Sequence, residues 1–87
     1  MTLSFPNPSR SYDPTRHAVR FWGHDSAMEW SFFVTEEALK RLQPKMARDV
    51  ASLLLAFDTN RAAIYAAAMR VYKRERKGSY ELSETDF

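Results

Sequence analysis

Apolar residues recur at steps of three and four from Met46 to Arg76, the spacing that lines one face of an α-helix. Val50, Leu53, Leu54, Phe57, Ile64, Ala68, Val71 and Tyr72 form that face. Arg48, Ser52, Thr59, Ala66, Arg70, Arg74 and Lys77 fall opposite, where water should meet them. Alanines fill the second half, and neither Gly nor Pro interrupts the run. At about 1.5 Å per residue the helix would run roughly 45 Å, longer than the about 30 Å expected across a compact chain of this size. Asp58-Thr59-Asn60 is the natural break, since Asp and Thr are better caps than interior residues. The apolar stripe keeps its phase through that point, so the pattern predicts one long helix over residues 46–76 with a projecting end.

Upstream the period changes to two. Leu3 and Phe5 alternate with polar residues, which predicts a short strand at about 2–5. Asn7 to Pro14 is rich in turn formers and reads as a loop, with Tyr12 anchoring it on the core. Strands follow at 18–22 and 27–34, joined through Gly23-His24-Asp25-Ser26 as a β-hairpin with a four- or five-residue connection. Val19 and Phe21 face one way and Arg20 and Trp22 the other. Met28, Trp30, Phe32 and Val34 share a face opposed by Glu29, Ser31 and Phe33. Glu29 and Arg20 would pair across the strands if the register allowed. Thr35 should cap a short helix at 36–42, with Glu36 and Glu37 in its first turn and Pro44 as its stop. Gly78 should end the long helix, and Tyr80-Glu81-Leu82 should add a last strand at 80–82. The terminal Ser83 to Phe87 is acidic and either tucks back or frays. The expected fold is α+β: a small antiparallel sheet packed on one long C-terminal helix, with a short helix before it, in a single domain spanning 1–87.

Composition narrows the chemistry. The 87 residues are 45% hydrophobic and 14% aromatic, enough for one core. Cysteine is absent, which excludes disulfides, thiol catalysis and cysteine zinc sites. The N-terminus lacks the basic start and apolar stretch of a signal peptide, and no apolar run reaches membrane-spanning length. A cytoplasmic protein without a membrane contact is expected. Net charge is only +2. Basic residues concentrate in Arg70, Lys73, Arg74, Arg76 and Lys77, where they also suit the negative end of a helix. The same cluster could hold an anion or nucleic acid.

The remaining candidates are sparse. Arg61 and Glu75 fall near the middle of the apolar face. A buried guanidinium must reach solvent, find a carboxylate or meet a ligand. Arg61 is therefore a candidate ligand or ion-pair residue. His17 and His24 flank a strand and point apart, so a shared metal is not expected. His24-Asp25-Ser26 holds the residue types of a hydrolase triad, but adjacent turn residues cannot assemble one. With two glycines in all, there is no phosphate-cradling loop. Phe21, Trp22, Trp30, Phe32 and Phe33 could stack bases, yet one sheet face must receive the helix. Trp22 and Phe33 alone on the other make a weak platform. No cofactor is expected.

Phe5 to Asp13, Val19 to Ala27, the spacing Phe57, Arg61, Ile64, and the closing Tyr80-Glu81-Leu82 with Asp86-Phe87 are together similar to one known family. The chain resembles the small bacterial domains of unknown function numbered family 1488, of the alphaproteobacterial type. The resemblance implies a stand-alone cytoplasmic α+β domain with no assigned activity, cofactor or catalytic residue. It also draws attention to Arg10, Arg20 and Arg61 with Asp13 and Asp25, which makes Arg61 with Asp13 or Asp25 the candidate ligand or ion-pair set. The functional expectation is a non-catalytic interaction or regulatory module, with a protein partner or a second copy of the chain in a homodimer. The alternative is nucleic-acid or anion binding through the basic helix end.

Overall fold

The computed structural model describes residues 3–74 and 77–87. Among them the chain forms β1 (Arg10–Asp13), β2 (Ala18–Asp25), β3 (Met28–Thr35), α1 (Glu36–Leu42), α2 (Val50–Thr59), α3 (Arg61–Arg74), β4 (Ser79–Leu82) and a closing 3-10 turn, Glu84–Asp86. The four strands make one sheet in the order β1-β2-β3-β4. The hairpin alternation holds: Val19 pairs with Val34 and Phe21 with Phe32, and all four are fully buried under the helices. Tyr80 and Leu82 continue that inner face onto β4. Leu39, Leu53, Phe57, Ile64, Ala68 and Val71 close over it.

Several expectations are corrected. The long helix breaks at Asn60, whose φ is −111° and ψ 21°. Its N–H bonds the carbonyls of Ala56 and Phe57, both at 3.1 Å. Its side-chain amide donates to Gln43 Oε1 and to Ala56 O, both at 2.8 Å. That amide competes with the backbone for helical partners, as a capping residue does. A break of one residue leaves the apolar periodicity in phase, which is why the pattern reads as continuous. The broken helix fits a molecule of 36 × 23 × 23 Å, and among the described residues no long end projects. The first part starts late, at Val50, because Asp49 accepts from Ser52 N and Ser52 Oγ at its N-terminus. Glu75 and Arg76 lie outside the described residues, and Gly78 does not take the left-handed conformation of a helix-ending glycine.

The sheet also differs in detail. β4 runs parallel to β3, not antiparallel, because the three helices between them return the chain to the end where β3 began. Among the described residues no strand forms before β1, and Thr2 of the strand expected at 2–5 lies outside them. Instead Ser4 makes a single antiparallel bridge to His24, and Leu3 packs over Gly23. A Cβ on Gly23 would meet Phe32 Cε1 at 2.9 Å, Leu3 Cδ1 at 3.0 Å and Phe5 Cε1 at 3.1 Å, so only glycine admits this approach. The expected loop contains the edge strand β1, held between Pro8 and Pro14 with Tyr12 turned inward. The hairpin turn is tighter than four residues: Asp25 pairs with Met28, leaving Ser26-Ala27 between them, and Ser26 takes φ 56° to close it. This register sets Arg20 opposite Phe33 and gives Glu29 to His24. Thr35 caps α1 as expected, accepting from Ala38 N at 3.1 Å.

Candidate functional site

Arg61 opens α3 directly after the break. Its Nη2 donates to Asp58 Oδ1 and to Pro8 O, each at 2.8 Å, and its Nη1 to the Tyr65 hydroxyl at 2.7 Å. The guanidinium lies 4.8 Å from the centre of the Phe57 ring. Asp58 is shared. Arg10 reaches it in bidentate fashion, Nε to Oδ1 at 3.0 Å and Nη2 to Oδ2 at 2.8 Å. Hydrogen bonding from Arg10, then from Arg61, holds the Asp58 carboxyl below the usual carboxylate range against the opposing effect of burial. Asp58 raises Arg10 in return. The arrangement answers an electrostatic problem set by the break. A carboxylate near the end of α2 and a guanidinium at the start of α3 each face the wrong pole of a helix dipole. Paired, they clamp β1 and the N-terminal loop to the α2–α3 corner.

Asp13 and Asp25 do not join Arg61. Asp13 accepts from the N–H groups of Thr15 and Arg16, at 2.9 and 3.2 Å, as a turn former. Asp25 is buried at the far end of β2 and accepts from the Tyr72 hydroxyl at 2.5 Å. The residues of the triad also part. His24 Nε2 meets Glu29 Oε2 at 2.8 Å on the outer face, Asp25 turns inward, and Ser26 sits in the turn. His17 Nδ1 is 3.6 Å from Glu36 Oε2, at the opposite end of β2. Among the described residues, no group of three or more His, Asp or Glu side chains could hold a metal ion.

The basic helix end meets the C-terminal segment, which tucks back. Arg70 Nη2 donates to Asp86 O at 2.8 Å, and Arg74 Nη2 to Asp86 Oδ1 at 3.3 Å. Asp86 is fixed in turn by Ser83 N at 2.8 Å, and Arg41 Nε bonds Phe87 O at 3.0 Å. A shallow cleft of about 270 Å³ remains here, lined by Val71, Arg74, Lys77, Tyr80, Ser83 and Asp86 among others. Lys73 is exposed. Arg76 lies outside the described residues.

Two features stand out that the periodicity does not isolate. The first is α2. Residues 50–57 carry no charge, and the inner row Leu53, Ala56 and Phe57 is buried. Leu55 nevertheless stays 63% exposed and Val50 46% exposed, with Ala51 exposed and Leu54 half-buried beside them. Val50 thus leaves the inner face assigned to it. The sequence signal is Leu53-Leu54-Leu55: three consecutive leucines cannot share one helical face. The second is the outer face of the sheet, where Trp22 and Phe33 lie among arginines.

No curated protein matches the chain. A crystal structure of a protein of unknown function from Shewanella loihica PV-4, solved at 1.60 Å resolution and assigned to the DUF1488 family, superposes with a TM-score of 0.82. The match covers 92% of this chain and 90% of that one at 16% identity, so what it establishes is the shared fold. The family described as "Protein of unknown function (DUF1488)" matches residues 3–83, and the chain belongs to that family.

Proposed function

We propose that this protein is a non-catalytic interaction module whose outer α2 surface is covered by a partner protein. The exposed stripe of α2 carries the reading. Scattered exposed apolar residues are ordinary on a protein surface. Here Val50, Ala51, Leu54 and Leu55 are neighbours on one helical face, with charge only beyond its ends at Arg48, Asp49 and Asp58. An apolar strip with a charged rim is the anatomy of a contact patch. The dispersal of His24, Asp25 and Ser26 supports the non-catalytic half of the proposal, since no convergent acid, base and nucleophile set forms from them. A cysteine-free chain also suits the reducing cytoplasm. The alternative, anion or nucleic-acid binding at the end of α3, is less favoured. Arg70 and Arg74 already bond Asp86, and an incoming anion would have to displace it.

The test compares capture from the native cell by the wild-type chain and by Leu55→Glu, with nuclease present. The proposal expects a specific protein set that the variant loses while its circular dichroism and melting stay unchanged. Identical capture by both chains would sink it.

A further inference from the structure

The sheet is covered on one side only. Phe33, although buried, is absent from the core cluster that fills the inner face. It points outward with Trp22, Arg20 and Ser31, on the face opposite the core cluster. Two guanidiniums lie across these rings. Arg16, returned over the sheet by the β1–β2 turn, sits 4.0 Å from the Phe33 centroid. Arg20 sits 5.1 Å from the Trp22 ring and 5.7 Å from Phe33. Neither has a carboxylate within ion-pair distance among the described residues. Arg20 spends one N–H on Ser31 Oγ at 2.8 Å, while its Nε is buried without a partner. Among the described residues no acid of this face forms an ion pair with either arginine. Asp13 is turned to backbone N–H groups, Glu29 is held by His24, and Glu81 is exposed beside Phe33.

We infer that this outer face binds single-stranded nucleic acid, independently of the α2 surface on the other side of the molecule. The chemistry fits that class. Guanidiniums over aromatic rings present cationic surfaces on which bases stack, and Trp22 adds a π face of its own. The uncompensated charges of Arg16 and Arg20 suit phosphates. A duplex hides its base faces and should bind poorly.

The test is fluorescence anisotropy of a labelled twelve-nucleotide oligouridine, with the matched duplex as control, in low and moderate salt. Expected is binding to the single strand, at least tenfold weaker binding to the duplex, and a log–log salt slope of about −1.4 for two phosphate contacts. Trp22→Ala and Arg20→Gln should each weaken binding about tenfold or more. Arg16→Gln, at an exposed position in the β1–β2 turn, should weaken it measurably. Arg74→Glu with Lys77→Glu should change it less than twofold. The inference is overturned by no binding at low salt, by equal binding of duplex and single strand, or by loss only in the Arg74/Lys77 variant.

Discussion

Replacing Asp58 with alanine removes the carboxylate shared by Arg10 and Arg61 and leaves both guanidiniums at a helix corner without their counter-charge. Hydrogen bonds to charged groups are individually worth about 1.5–3 kcal/mol when well shielded. These are not well shielded: the Arg10, Asp58 and Arg61 side chains are 33%, 35% and 27% exposed, and exposed pairs fall to about 0–1 kcal/mol. Bidentate geometry at Arg10 favours the upper part of that range. About 1 kcal/mol for each of the two ion pairs gives a loss of about 2 kcal/mol, or a fall in melting temperature of roughly 8–16 °C for a chain of this length. Urea unfolding should show a lower midpoint with an unchanged slope. The two pairs should also separate in double-mutant cycles. Arg61 retains Pro8 O and the Tyr65 hydroxyl as acceptors, so Asp58 should couple more strongly to Arg10 than to Arg61. The pH dependence has a definite sign. The folded Asp58 carboxyl is held below its unfolded value, so its contribution is fully present above the unfolded pKa of about 3.9. It is lost as pH falls through the lower, folded value. The gap between wild type and Asp58→Asn should therefore be flat near neutrality and close in acid, below about pH 4. A loss under about 0.5 kcal/mol, or a gap unaffected by acid, would refute the clamp.

Four further substitutions probe the fold around the proposed surfaces. Gly23→Ala forces a methyl against Leu3, Phe5 and Phe32 and should cost about 1–3 kcal/mol in chemical denaturation; a neutral result would mean that the N-terminal arm yields freely. Leu53→Ala should cost about 2–5 kcal/mol, while Leu55→Glu, two residues away and on the opposite side of α2, should stay within about 0.5 kcal/mol. Asp49→Ala should remove the α2 N-cap and lower the melting temperature. Ser52 holds the Asp49 carboxyl low, so that contribution too should disappear in acid, and its persistence at low pH would count against the cap.

The hairpin is legible in the sequence because burial on one face of a sheet imposes a strict period of two, and Val19, Phe21, Phe32 and Val34 obey it. The Thr35 cap is legible because its chemistry is local. Strand β1 is not, since Arg10-Ser11-Tyr12-Asp13 carries one apolar residue and owes its conformation to the open edge of β2. The Asn60 break is hidden because a one-residue interruption leaves the apolar stripe in phase. The parallel pairing of β4 depends on where the helices return the chain, which no local pattern records. At the candidate surfaces the same division holds. Arg61 announces itself as a charge out of place, but its acceptor Pro8 O, and the Arg10 that shares Asp58 with it, come from a distant segment. Asp58, three residues before it, and Tyr65, four after, lie within local view. The outward side of α2 is foreshadowed by Leu53-Leu54-Leu55, although periodicity alone assigns Val50 to the wrong face. The arginines laid across Trp22 and Phe33 require the fold, because Arg16 reaches Phe33 from a turn.

The most direct test of the interaction reading places a photo-crosslinking residue at position 55, and in a control chain at the exposed position 66 on α3, in the native cell. Irradiation should give a discrete heavier protein adduct from position 55 and none of the same mass from position 66. An adduct common to both positions, or none from position 55, would contradict the claim that α2 is the partner surface.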